Sequence, residues 1–142
     1  MAEKIWLKDW KLSEIQGFNL KTCHSLLGVE FSELGLNYLE ATMPVDDRTC
    51  NPIGILHGGA SAVLAETLGS VASMLVVGSE KSCVGIEINA THIKSMKKGT
   101  QVVGRAEALR LGRKIHNWRI QIFDSADRSR LVCESRLSVF VK

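Results

Sequence analysis

Between Arg48 and Glu80 the sequence holds one formally charged side chain, Glu66, flanked by Val63, Leu64, Ala65 and Leu68. A carboxylate in such surroundings is expected to lose hydration, which raises its proton affinity and its reactivity unless a partner holds it. It reads either as a reactive acid or as a structural glutamate that is hydrogen-bonded or turned to water. Eight residues earlier, Leu56-His57-Gly58-Gly59-Ala60 opens the same apolar segment. The first four N–H groups of a helix have no intrahelical partner, and the helix dipole adds positive potential there. Glycines at Gly58 and Gly59 let a ligand approach those donors closely. The chemistry this offers is stabilisation of a carbonyl oxygen that gains negative charge. A His-Gly-Gly run alone fits ordinary helix capping, and so does His57 alone. Joined to a solitary carboxylate, the run points to attack on a carbonyl.

Eight helical residues advance about 12 Å, more than a glutamate side chain spans. One carbonyl therefore cannot touch Gly58 and be attacked by Glu66 of the same helix. A two-fold axis that sets two such helices side by side brings the start of one to the Glu66 of the other. If the two groups act together, the site is expected between subunits.

The segment that must position them, Gly58 to Val77, contains no proline and ends at Gly78, a helix stop. Being apolar on nearly every side, it is expected to be covered on nearly every side. Glu66, Ser61, Thr67, Ser70 and Ser73 recur through its middle, which argues against a membrane span. Elsewhere the period is two. Leu27, Val29 and Phe31 alternate with polar neighbours, Gly35-Leu36-Asn37 makes a turn, and Leu39, Ala41, Met43 and Val45 complete a hairpin. Further strands are expected over 82–94, 100–111, 115–124 and 131–141, with Val84, Ile86, Ile88 and Ala90 on one face. Lys97-Lys98-Gly99, Leu111-Gly112-Arg113 and residues 125–130 link them as short turns, which favours antiparallel neighbours. A short helix is expected within the first 22 residues, capped by Asp9 or Ser13. One long helix wrapped by an antiparallel sheet of about six strands is an α+β fold, and 142 residues suit a single domain over 1–142.

Composition bounds the function classes. A net charge of +3 and 6% aromatic residues give no nucleic-acid footprint. Cys23, Cys50, Cys83 and Cys133 lie far apart with no CxxC pair, and the start of the chain reads as lacking a signal peptide. Reduced thiols and a cytoplasmic location are the expectation. His24, His57, His92 and His116 have no spacing that gathers a metal.

Three stretches, Glu40–Asp46 (EATMPVD), Gly54–Ser70 (GILHGGASAVLAETLGS) and Val84–His92 (VGIEINATH), closely resemble hotdog-fold acyl-CoA thioesterases. They are most similar to the bacterial branch of the 1,4-dihydroxy-2-naphthoyl-CoA hydrolases and the enterobactin proofreading thioesterases. The resemblance runs from about Trp6 to Val141. It implies a hotdog fold, hydrolysis of an acyl-CoA or acyl-carrier thioester with aroyl-CoA foremost, no metal and no cofactor. It also implies a homodimer with shared sites, usually assembled into a homotetramer. By position it makes Glu66 the catalytic carboxylate and the Gly58 N–H the group that polarises the carbonyl. His57 assists at the carbonyl end, and Ser70 helps position water or the glutamate. His92 lines the acyl pocket or meets the CoA arm; by strand parity a core histidine is the alternative. The chain departs from the branch at Asn51, where Gln is usual, and at Lys94, where Arg is usual; Lys keeps the charge but not the bidentate fork. Asn51 carries the same amide one methylene shorter, for a carbonyl or a water. Gly59 is expected to help bind substrate at the helix start. Lys94, Lys97, Lys98, Arg110, Arg113 and Lys114 are candidates for the CoA phosphates or a solvated turn surface. Two other readings are a non-hydrolytic acyl-CoA-binding hotdog protein and a hotdog dehydratase; the latter usually pairs Asp with His, which His57-Gly58 does not match.

Overall fold

The computed structural model describes residues 2–142. Six strands, β1 (Glu30–Leu34), β2 (Tyr38–Pro44), β3 (Cys83–His92), β4 (Gln101–Leu111), β5 (Ile115–Asp124) and β6 (Asp127–Val141), form one antiparallel sheet in the order β1-β2-β4-β5-β6-β3. The short helices α1 (Leu12–Gln16) and α2 (Cys23–Leu26) precede it, and the long helix α3 (Gly58–Val77) lies across its concave face. The strand alternation and the long apolar helix predict this α+β layering, and the sheet has the expected six strands.

α3 buries Ala60, Ser61, Leu64, Ala65, Leu68, Gly69, Ala72, Ser73 and Leu75 against the sheet. Opposing them are Leu39, Ala41, Val102, Ala106, Trp118, Ile120, Leu137 and Val139. At roughly 1.5–3 kcal/mol for each fully buried large aliphatic side chain, this one layer supplies most of the drive to fold. The helix is not covered all round, however. Val63, Thr67, Ser70, Val71 and Met74, spaced as a helical stripe, remain half-buried, and Glu66 beside them is exposed. The sheet covers one side of the helix, which leaves that flank without the expected coat, and residues 7–10 reach the far end of the helix. There the Leu7 N–H and Trp10 Nε1 both donate to the Leu75 carbonyl.

Three local expectations are corrected. Residues 23–26 are helical, since Thr22 caps them through the Ser25 N–H, so β1 starts at Glu30 rather than near Leu26. α1 is capped at Lys11, whose N–H donates to Glu14, rather than at Asp9 or Ser13. The link expected over 125–130 is mostly strand: β6 begins at Asp127, and Asp124 pairs with Asp127 across a tight turn.

A bulge between Gly85 and Glu87 changes the parity of β3. Gly85, Ile88, Ala90 and His92 pair with the inward residues Val139, Leu137, Ser135 and Cys133. Val84 and Ile86, expected on the same face as Ile88, are instead 55% and 57% exposed. β3 is also an edge strand, with β6 on one side and no neighbour on the other among the described residues. A ten-residue edge strand of this kind is a template for pairing with another chain. The opposite edge, β1, is half as long, bulged between Phe31 and Glu33, and tied to the Gln16 side chain.

A buried polar knot ties α3 to β5. Trp118 Nε1 donates to Ser73 Oγ at 2.7 Å, and His116 Nδ1 lies 3.0 Å from the same oxygen. Burial pushes the His116 pKa below its usual value, with a hydrogen bond to Gly112 opposing. The unfolded chain therefore takes up this proton first as pH falls. Stability from neutral His116 is complete above about pH 6.5 and is lost as pH falls from there through the lower folded value. Thermal melts between pH 7.5 and 5 should show that decline, and His116→Asn should flatten it. An unchanged slope in the variant would remove His116 as the cause.

Candidate active site

His57 caps α3: its backbone is extended, and its Nδ1 accepts from the Gly59 N–H at 2.8 Å. The Ala60 and Ser61 N–H groups both donate to the His57 carbonyl. Of the first helical donors, the Gly58 N–H alone has no partner among the described residues. Because Nδ1 is an acceptor, neutral His57 carries its proton on Nε2 and presents a donor outward. The Gly59 N–H, expected to face substrate, is spent on this cap.

The segment before the helix is pinned on three sides. His57 N–H donates to the Thr49 carbonyl, Leu56 N–H to Met96, and Lys98 N–H to Gly54. Gly54 takes φ +79°, a conformation open to glycine at no steric cost. Asn51 builds the turn itself. Its Oδ1 accepts from the N–H groups of Ile53 at 3.1 Å and Ile55 at 3.3 Å. That oxygen is committed to the loop, which leaves the side-chain NH2 as its available group.

Gly58, Ser61, His92 and Lys94 share a pocket of about 250 Å³ with Ile55, Leu56 and Val132. A methyl group at Gly58 would come within 2.6 Å of His92 Nε2, so the His92 ring covers the helix start only because residue 58 has no side chain. His92 is exposed in the chain, not the core histidine that parity allowed.

Glu66 stands elsewhere, over the backbone of Gly85, where a methyl group would meet its Oε1 at 2.5 Å. It is exposed rather than desolvated in the single chain, with the edge strand β3 on one side of it and solvent on the other. Ser70, one turn on, is half-buried, and its side chain makes no hydrogen bond among the described residues. The basic residues also separate. Lys94, Lys97 and Lys98 lie at the β3–β4 end, with Lys98 paired to Asp47, whereas Arg110, Arg113 and Lys114 surround the β4–β5 turn. The eleven residues of β4 lie between them, roughly 35 Å of strand.

The chain thus brings Gly58, His57, His92 and Lys94 to one end of the helix and Glu66 with Ser70 to its middle; Arg113, at the β4–β5 turn, lines a separate pocket. Sequence reasoning did not single out Gly85. The available signal was a glycine inside an otherwise β-branched strand, which often marks a bulge or a close approach.

Comparison with known proteins agrees with this architecture. Residues 53–130 match the Thioesterase superfamily. The 1,4-dihydroxy-2-naphthoyl-CoA hydrolase of Escherichia coli is 43% identical over 137 residues, covering 96% of this chain and 98% of that protein. The proofreading thioesterase EntH of Cronobacter turicensis is 45% identical over the same length and coverage. Among solved structures, thioesterase HI1161 from Haemophilus influenzae superposes with a TM-score of 0.91 at 41% identity, covering 97% of this chain and 94% of that one. The single apolar helix laid across a six-stranded antiparallel sheet is the hotdog fold, and the chain belongs to the thioesterase superfamily as a thioester hydrolase.

Proposed function

We propose that the protein hydrolyses acyl-CoA thioesters, aroyl-CoA foremost, at two equivalent sites shared between two copies of the chain. The observation that carries this reading is the disposition of the two halves along β3: Glu66 over Gly85 at one end, the free Gly58 N–H under His92 at the other. Antiparallel pairing of β3 with the β3 of a second copy, about an axis between Ile88 and Asn89, sets Gly85 opposite the second copy's His92. Glu66 of one copy then meets Gly58 of the other. The same pairing satisfies the unpartnered edge, covers Val84 and Ile86, and lays a second helix along the open flank of α3. Association of two such pairs gives the homotetramer that the resemblance implies, and a cytoplasmic location accords with four free thiols.

In that arrangement the thioester carbonyl accepts from the Gly58 N–H, with the His57 Nε2–H beside it. In one route the Glu66 carboxylate takes a proton from water as the water oxygen attacks the carbonyl carbon, the C–S bond breaks, and the thiolate leaves with that proton. In the other the carboxylate attacks the carbon itself, the C–S bond breaks to leave a mixed anhydride and a thiolate protonated by solvent, and water then hydrolyses the anhydride to free the acid and Glu66. Ser70, one turn along, positions the water or the carboxylate. The acyl group lies along the stripe of Val63, Thr67, Val71 and Met74. Aroyl-CoA is favoured because one close relative is named for such a substrate. Release of free thiol from benzoyl-CoA by the purified protein tests the proposal. Turnover should saturate with substrate, and binding of benzoyl-CoA without thiol release would instead identify a non-hydrolytic acyl-CoA-binding protein.

A further inference from the structure

At the β4–β5 turn, Lys81, Arg113, Lys114, Phe140, Val141 and Lys142 line a pocket of about 510 Å³. No carboxylate side chain lines it. Several exposed cations elsewhere are paired with carboxylates: Arg48 with Asp46, Lys98 with Asp47, Arg119 with Glu134, Arg128 with Glu40. Among the described residues, Lys81, Arg113 and Lys114 have no such partner. Four cationic side chains line this one pocket, Lys142 being the fourth; held together they repel one another, and a bound polyanion relieves that repulsion. Their floor is the half-buried Phe140 ring, an aromatic face of the kind on which a base stacks.

The pocket also lies in line with the proposed active site. Phe140 pairs with Val84 and Val141 with Cys83, so the pocket begins one residue from Gly85, over which Glu66 lies. From Gly85 to Lys81 is four residues, about 13 Å of extended chain, so a flexible arm must turn round the end of β3 to join the two. The β3 pairing argued above brings the second copy's Lys94 to this same end.

We propose that this pocket seats the adenosine phosphates of the substrate, with Lys81, Arg113 and Lys114 on the phosphate oxygens and Phe140 beneath the adenine. The proposal rests on the acyl-CoA reading and narrows it: the protein acts on the nucleotide-bearing thioester in preference to one carried on an acidic protein. A concave pocket with an aromatic floor fits a small polyanion better than a flat protein surface.

Two measurements on the intact protein test it. Calorimetric titration with adenosine 3′,5′-bisphosphate should show saturable binding that weakens as salt rises, and Arg113→Ala with Lys114→Ala should weaken it at least tenfold. The same double variant should raise KM for benzoyl-CoA about tenfold or more, yet leave kcat/KM for the N-acetylcysteamine thioester of benzoate unchanged. These are exposed turn residues without partners, so the fold is expected to survive. Equal effects on both thioesters, no effect on either, or bisphosphate binding indifferent to the substitutions would overturn the proposal. So would a loss confined to acyl-carrier thioesters. If the parent protein hydrolyses neither thioester, the acyl-CoA reading fails separately; the bisphosphate titration then decides the pocket alone, its loss in the variant supporting the site and its persistence or absence in both proteins refuting it.

Discussion

Glu66→Gln is expected to lower kcat for benzoyl-CoA by about 10²–10⁴-fold, the range over which a positioned acid or base contributes, while KM and Tm stay close to those of the parent. Gln keeps the length and shape that lie over Gly85 but can neither take a proton from water nor form an acyl anhydride. Stability should be indifferent because Glu66 is exposed in the chain and makes no hydrogen bond or ion pair among the described residues. A merely structural glutamate would reverse the pattern, lowering Tm and sparing kcat. The experiment is thiol release across a substrate series with a parallel thermal melt. A variant that keeps most of its turnover would remove Glu66 from the chemistry, whatever the state of the fold.

The elements were legible in the sequence wherever one period ran unbroken. α3 announced itself by twenty residues without proline closing on Gly78, and β2, β4 and β5 by alternation between turn residues. Legibility failed where one residue changes the parity. The extra residue in β3 near Gly85 turns Val84 and Ile86 outward and aims Gly85 at Glu66, and nothing in the alternation of valine and isoleucine marks it. It failed again in short segments, where capping outweighs pattern: Thr22 and Ser25 wind residues 23–26 into a helical turn although Leu27, Val29 and Phe31 alternate beyond them.

At the site, the types and spacing of His57, Gly58 and Glu66 were readable, and so was the inference that one helix cannot bring them together. The hydrogen-bond economy was not. Asn51 reads as an amide free for substrate because its type allows that, yet Oδ1 serves the turn that presents His57. Gly59 reads as a free donor until the His57 ring is placed on it. Glu66 reads as dry because its neighbours in sequence are apolar. Its neighbours in space decide the matter, and in one chain they are Gly85 and solvent. Folding of one chain leaves that carboxylate in water, so the burial that the proposed pairing requires has to come from assembly.

That distinction leads to the sharpest consequence of a shared site. A mixture in which one copy carries Glu66→Gln and the other His57→Ala should recover activity that neither variant has alone. In the mixed pair, one site joins both substitutions and is dead. The other joins an intact Glu66 to an intact His57 and works. Random association gives half of all pairs mixed, each with one working site of two, so activity should return to about a quarter of the parent value. A site contained within one chain gives no recovery at any mixing ratio, because every site then carries one substitution. Co-expression of the two variants with different affinity tags, purification through both tags and thiol release from benzoyl-CoA make the comparison direct; doubly tagged pairs should reach about half the parent activity. Doubly tagged material as inactive as the single variants would refute the two-fold arrangement along β3, even if each variant alone behaved as expected.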